Sequence, residues 1–412
     1  MARLTNVPWS LLSMNRNILC DFYQDKTAPC YVFDCDMLKK RIEEIQSILP
    51  ENATLCYAIK ANPFLVPALK DSDILFEVCS PGELSICEAC ALPPEKIVFS
   101  GVCKTKEDIE RAYELGVHTI TLESPLHCTY LIDTVQHTST SHDTNVILRL
   151  TGGNQFGMST TDVKNCIENL RTVPSVHIRG IHYFTGTQKK ITKIQSEVEF
   201  ITTWCDELKT MTGISFSDIE YGPGLSFDYF CKDGFDENIA DVQLFADSIK
   251  DKPYHFVVEL GRFIASSCGY YLTRIMDVKF DDEANQKYVI MDGGINHINY
   301  YGQIMGMKVL PVNLEKQSHS AEAESAEAES AETDYVLCGS LCTTADVVVR
   351  KMKLCNPLPG DFLIFSDIGA YSITEGIYLF LSHPLPQVFL YSSGKFSRVR
   401  GTLESYKINM VE

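Results

Sequence analysis

Lys60 lies in Cys56-Tyr57-Ala58-Ile59-Lys60-Ala61-Asn62-Pro63, where its amine could do covalent chemistry. Leu55 to Ile59 is a short apolar run with an aromatic and a branched residue, the pattern of a buried strand. Asn62-Pro63 then stops the strand and turns the chain. A lysine at the carboxyl end of such a strand is costly to bury unless its amine has a partner. An amine held there can form a Schiff base with an aldehyde cofactor. On this stretch alone, a lysine snorkelling from a strand end is an equal reading.

The elements around it shift that balance. Strand patterns recur at Thr54–Ile59, Ile74–Val78, Ile97–Ser100, Thr119–Leu122, Val146–Leu150, His177–His182, Asp218–Tyr221 and His255–Glu259. Helical patterns with charged faces separate most of them, such as Thr105–Leu115 and Ser196–Met211. Eight strands alternating with helices over roughly 230 residues predict an α/β fold, a (β/α)8 TIM-type barrel. A doubly wound open sheet would be favoured by a Gly-x-Gly-x-x-Gly turn after the first strand, and none is present. After about Cys268 the rhythm changes. Tyr270–Phe280, Tyr288–Met291, Tyr335–Cys338, Phe362–Phe365 and Gln387–Tyr391 read as strands of a C-terminal all-β domain. The expected division is therefore a barrel over 29–268 and a β-domain over 269–412, with residues 1–28 adding a strand to the latter. Within it, Glu315 to Thr333 holds Ala-Glu-Ala-Glu-Ser twice in succession and reads as a disordered acidic insertion.

Chemistry in such a barrel sits at the carboxyl ends of the strands. Those ends carry Lys60, Glu77, Arg149, Thr187, Gly222, Gly224, Glu259, Gly261 and Arg262. Gly222 and Gly224 let backbone N–H groups approach a phosphate closely, and Arg262 can add a charged donor. Glu259 can hold a pyridine nitrogen protonated. Each feature alone has a bland reading: a turn for the glycines, a surface ion pair for Glu259 and Arg262. Together they meet the requirements of pyridoxal phosphate.

The chain resembles the barrel-type (fold III) pyridoxal-phosphate decarboxylases of ornithine, arginine and diaminopimelate. The motifs are Tyr57-Ala58-Ile59-Lys60-Ala61-Asn62, Ser80-Pro81-Gly82-Glu83-Leu84, Glu259-x-Gly261-Arg262, Cys338-Gly339-Ser340-Leu341-Cys342 and Gly369-Ala370-Tyr371. The resemblance implies that Lys60 carries pyridoxal 5'-phosphate and that Glu259 pairs with the pyridine nitrogen. It implies that Gly222, Gly224, Arg262 and Tyr371 hold the phosphate. It further implies a head-to-tail homodimer with shared active sites, in which Cys342 from the second subunit protonates the carbanion.

Three departures bear on substrate. Phe184 stands where the family has the histidine that stacks on the cofactor ring, and a phenyl ring can still stack. Leu260 replaces a proline between Glu259 and Gly261. Thr343 follows Cys342 where diamine-forming relatives have Asp or Glu, and a neutral hydroxyl binds a distal ammonium poorly. Asp292, in Asp292-Gly293-Gly294, is a candidate to restore amine binding, and Asp346 is a further candidate substrate contact. These features resemble a biosynthetic branch acting on amino acids, some tethered to acyl carrier proteins. A racemase on the same fold is the second enzyme reading, although alanine racemase-like proteins place an arginine where this chain offers Glu259. Diamino-acid decarboxylation is another, and a non-catalytic regulatory homologue would be expected to lose the lysine or the cysteine.

Composition sets outer limits. A net charge of −18 over 412 residues argues against nucleic acid or an anionic membrane as a partner. Sixteen cysteines lie without framework spacing, which suits a reducing cytoplasm. Cys87 and Cys90 form a C-x-x-C pair inside a helical pattern without a second pair, so no metal site is expected. Met1 to Met14 lacks the apolar core of a signal peptide, and no apolar run is long enough to span a bilayer.

Overall fold

A computed structural model describes residues 14–139, 142–230, 238–317 and 332–411. Most of the repeat-bearing insertion expected at 315–333 lies outside the described residues. Among them, the chain divides into two compact units.

The first is a closed eight-strand parallel barrel, formed by Arg41 to Phe227 and the described residues from Asn238 to Ile264. Its strands are β2 (Ala53–Ala58), β3 (Leu75–Val78), β4 (Ile97–Phe99), β5 (Thr119–Leu122), β6 (Thr144–Arg149), β7 (Val176–Phe184), β8 (Asp218–Gly222) and β9 (His255–Leu260). β9 returns to pair with β2, Cys56 lying opposite Glu259. Strands covered on both faces read as continuous apolar runs, which is why all eight are visible as patterns. The intervening helices start at side-chain caps. Thr105 and Asp108 form a reciprocal capping box before Lys106–Leu115, and Ser80 accepts from the Glu83 amide before Pro81–Ala89. Cys87 and Cys90 sit at the end of that second helix as free thiols.

Unlike an all-aliphatic barrel, this one mixes charge into its interior. Cys56, Val98 and Val257 pack together with Leu75, while Glu77, Glu220, Glu259, Arg149 and His182 are also buried. Buried charges need partners and are expensive to keep, so their presence marks this end of the barrel as chemical.

The second unit is β-rich and comprises the described residues up to Lys40 together with those from Ala265 onward and a short piece beginning at Asp228. Its strands are β1 (Cys30–Asp34), β10 (Gly269–Asp281), β11 (Gln286–Met291), β12 (Val312–Glu315), β13 (Thr333–Cys338), β14 (Val347–Leu354), β15 (Phe362–Phe365), β16 (Gln387–Ser392) and β17 (Lys395–Arg400). Their order is β14-β13-β11-β10-β1-β16-β17, with β15 bridging β10 and β12.

The amino-terminal segment differs from expectation. Arg16–Tyr23 is a helix, capped by the Asn15 side chain, and the strand begins only at Cys30. The helix forms because Leu19 and Tyr23 fall on one face and bury against Cys30, Val32, Leu272 and Ile364. Its end carbonyls are satisfied by Arg274, which donates to Tyr23 O, Gln24 O and Lys26 O. Residues Pro29 to Lys40, read as the start of the barrel, cluster with the β-rich unit because β1 pairs with β10 and β16.

Candidate active site

β2 ends at Ala58, and Lys60 sits on the tight turn Ile59–Ala61 that follows. Asn62 then accepts from the Phe64 amide, and Tyr57 OH donates to Asn62 O, which fixes the turn. The lysine is not sunk into the barrel as its strand-end position suggested, since its side chain is 42% exposed. Its amine points at Glu77 on the neighbouring β3, 2.7 and 3.0 Å from the two carboxylate oxygens. Glu77 is buried and also accepts from Ser100 Oγ at 2.7 Å, so one lysine charge is held by a fixed anion. Burial, then the Glu77 charge, pushes the adjacent Cys79 thiol up, keeping it neutral beside them.

Deeper, Glu259 at the end of β9 lies 3.3 Å from His182 Nε2 on β7. Burial alone would raise Glu259, but the adjacent His182 holds it below the usual carboxylate range. Glu259 is thus an anion buried at the barrel mouth.

The loops after β7 and β8 form a cradle. A Cβ on Gly222 would fall 2.5 Å from the Phe184 ring. Gly224 has φ +60°, and a Cβ there would fall 2.2 Å from Gly186 O and 3.0 Å from Thr187 Cα. Only glycine fits at either point, so the loops after β7 and β8 pack closely against each other there. Beneath the cradle, Lys189 Nζ pairs with Glu197 at 2.6 Å and donates to Gly222 O at 3.2 Å, while its backbone N–H reaches Gly224 O at 2.9 Å. Glu197 also accepts from Tyr221 OH and Thr185 Oγ1.

Gly261 and Arg262 follow β9 directly, with Arg262 buried and a Cβ on Gly261 falling 3.1 Å from Ala61 Cβ. Arg149, at the end of β6, is held by buried Glu123, whose other oxygen accepts from Gly157 N at 3.2 Å. The barrel therefore brings ten of the expected residues to its carboxyl end: Lys60, Glu77, Arg149, Phe184, Thr187, Gly222, Gly224, Glu259, Gly261 and Arg262.

The other five belong to the β-rich unit. Cys342 is exposed, on the loop after β13, with Thr343 half-buried beside it. Tyr371 adopts φ +67°, an uncommon conformation for a tyrosine. Asp292 Oδ1 accepts from Thr273 Oγ1 and from Arg274 N. Asp346 accepts from Ile295 N at 2.9 Å and Leu341 N at 2.8 Å. Asp292, read from sequence as a substrate contact, is thereby tied to β10, and Asp346, read likewise, to the amides of Ile295 and Leu341.

Sequence reasoning passed over Glu220, Glu123, Lys189 and Glu197. For Glu220 the available signal was an acid flanked by Ile219 and Tyr221 within a buried strand.

The donor set fits pyridoxal phosphate. A lysine amine, an anion cradle built from two glycines that tolerate no side chain, and a buried carboxylate for a pyridine nitrogen are its three requirements. A barrel with these groups at its carboxyl end is a pyridoxal-phosphate enzyme of the TIM type.

The comparisons narrow this. The chain belongs to the pyridoxal-dependent decarboxylases, whose pyridoxal-binding-domain model matches residues 35–266. It is accordingly a pyridoxal-phosphate-dependent carboxy-lyase. It is 28% identical to the 2-((L-alanin-3-ylcarbamoyl)methyl)-2-hydroxybutanedioate decarboxylase of Staphylococcus aureus, over 88% of this chain and 93% of that one. It is 24% identical to an L-glutamyl-acyl-carrier-protein decarboxylase of Niallia circulans, over 90% of this chain and 91% of that one. In fold it is similar to the diaminopimelate decarboxylase of M. jannaschii, with TM-score 0.80 at 21% identity, covering 96% of this chain and 94% of that one.

Proposed function

We propose that the chain decarboxylates the α-carbon of an L-amino acid whose distal end carries an acyl or amide extension rather than a free ammonium. The observation that carries the site assignment is the Lys60–Glu77 pair above buried Glu259, at the carboxyl ends of β2, β3 and β9. When bound, the cofactor supplies a ring that accepts the electron pair released as carbon dioxide leaves. Lys60 provides the amine that holds it and that exchanges with the substrate amine. Glu77 keeps that amine oriented, 2.7 and 3.0 Å from its two carboxylate oxygens. Glu259 would pair with the pyridine nitrogen and keep a proton on it. Gly222, Gly224, Gly261, Arg262 and Thr187 would hold the phosphate, with Arg149 as a further cation at the mouth. Phe184 lays an apolar face on the ring.

Cys342 delivers the proton to the α-carbon, from a second copy of the chain in a homodimer. Its exposure on its own unit supports a role toward a partner. Thr343 supports the choice of substrate class, because it offers no charge to an ammonium. Asp292 and Asp346 add to this, since Asp292 already accepts from Thr273 and Arg274 and Asp346 from two backbone amides. Two relatives are named for extended substrates, one amide-linked and one carrier-bound. Among the described residues no helix is long and apolar enough to cross a membrane, and the described cysteines are free, which supports a reducing cytoplasm.

The test is carbon dioxide release from the cofactor-loaded protein. The panel holds lysine, ornithine, diaminopimelate, glutamate, a 3-amidoalanine and a glutamyl-pantetheine thioester. Release from the last two above the diamino acids is expected. Faster release from diaminopimelate or ornithine would overturn the substrate assignment.

A further inference from the structure

Glu220 is a carboxyl group for which the reaction above has no role. It projects inward from β8, is fully buried, and lies beside His182 in the β7–β8 register. Thr121 Oγ1 on β5 donates to its Oε2 at 3.3 Å. Side-chain ligand atoms of His182, Glu220 and Glu259 all lie within 4.8 Å of one another. Two carboxylates this close, both removed from water, cannot both ionise cheaply. Taken as anions, Glu220 Oε1 and Glu259 Oε1 each lack a hydrogen-bond partner, and buried acceptors seldom stay so.

We infer that Glu220 is held as a neutral carboxylic acid that donates its proton to Glu259. It is a positioning residue: it keeps Glu259 anionic and weakly basic, so that the shared proton on the ring nitrogen stays on the nitrogen. The inference rests on the reading of Glu259 as the pyridine-nitrogen partner.

The surroundings agree with this assignment. Burial, and then the Glu259 charge, raises Glu220 well above the carboxylate range, while Glu259 is held low. Glu77 adds repulsion from β3, and Cys56 on β2 is a neutral thiol. Lys60 acts on Glu259 from the mouth. From the amino-terminal side, Glu220 lines a cavity of about 500 Å³ shared with His118, Arg179, Asp218 and His255. There Arg179 is spent on Asp218 at 2.9 Å, and His255 on Thr54 Oγ1 at 2.9 Å.

The experiment is infrared difference spectroscopy of the full-chain wild type against Glu220→Gln, each with and without pyridoxal phosphate, at neutral pH. The wild type should show the carbonyl stretch of a protonated carboxylic acid, and Glu220→Gln should lack it. Cofactor affinity is the second readout. Glu220→Gln still offers a donor to Glu259 and should bind as the wild type does. Glu220→Leu offers none and should bind about tenfold or more weakly, the loss expected for a hydrogen bond to a buried charge. No band lost in Glu220→Gln would overturn the proposal. So would a stoichiometric divalent cation bound by the wild type and lost from Glu220→Gln, because ionised Glu220 would then be a metal ligand. Failure of the underlying reading is separate: Glu259→Gln would leave cofactor affinity and absorbance unchanged, while the Glu220 band persisted.

Discussion

Removing the Lys189 ammonium should both destabilise the barrel and loosen its phosphate cradle. The pair is almost dry, with side-chain exposures of 8% for Lys189 and 3% for Glu197 at 2.6 Å. At an effective dielectric constant of about 20, that spacing corresponds to roughly 6 kcal/mol of attraction, much of it offset by dehydrating both ions. Lys189→Met leaves Glu197 buried with two hydroxyl donors and no close buried cation, since Lys193 is 3.5 Å away and largely exposed. Breaking one side of such a pair costs about 3–5 kcal/mol. Removing both charges in Lys189→Met/Glu197→Gln should cost less than the two single changes summed, with a coupling of about 2 kcal/mol or more. Urea unfolding of the cofactor-free chain measures this, with sucrose added if a single variant falls below the folding threshold. The pH dependence has a definite sign. Glu197 is held below its ordinary value, burial opposing and Lys189 supporting, so its contribution is full above that value. It is lost as pH falls through the folded value, and Lys189→Met should flatten that acid limb. Because Lys189 Nζ holds Gly222 O, the same variant should weaken cofactor binding about tenfold. Additive single costs below about 1 kcal/mol, with unchanged cofactor affinity, would refute a buried pair supporting the cradle.

Other positions test separate parts of the account. Gly224→Ala, at φ +60° and facing Gly186 O, should lose about a hundredfold in cofactor affinity by fluorescence titration while its circular dichroism stays barrel-like; affinity within about twofold would contradict the cradle. Asp346→Ala should speed amide exchange at Ile295 and Leu341, and alkylation of Cys342 read by mass spectrometry, by about tenfold or more; unchanged rates would show that Asp346 does not hold the Cys342 loop. Lys104 is lowered by burial from 10.5 to about 8, Glu123 opposing. The unfolded chain therefore binds the extra proton between those values, and stability should rise with pH across that window by about 3 kcal/mol relative to Lys104→Met; parallel curves for the two proteins would show that Lys104 is not buried as described.

Much of this was legible in the sequence, for reasons that differ by element. The barrel strands showed because each is covered on both faces, and the lysine and glycines at their ends stood out against apolar runs. β14 and β17 did not, since Arg350-Lys351-Met352-Lys353 and Lys395-Phe396-Ser397-Arg398 alternate like solvent-facing loop. The helix Arg16–Tyr23 was hidden because its packing face meets strands far along the chain, and because Arg274 caps it from about 250 residues away. Glu220, Glu123 and Lys189 were missed for a related reason. A buried charge looks like any surface charge until its partner is placed: Thr121 lies 99 residues from Glu220, and Glu123 lies 26 from Arg149. Asp292 and Asp346, read as substrate contacts from carboxylates near glycines, also accept from the backbone amides of Arg274 and Ile295, which the sequence did not show.

The most direct test of the account is to reduce the cofactor-loaded enzyme with borohydride and map the phosphopyridoxyl group by peptide mass spectrometry. The account predicts the label on Lys60, in the peptide that continues into Ala61-Asn62-Pro63, and its loss in Lys60→Ala. A label on Lys104, Lys189 or any other lysine, or an undiminished label in Lys60→Ala, would contradict it.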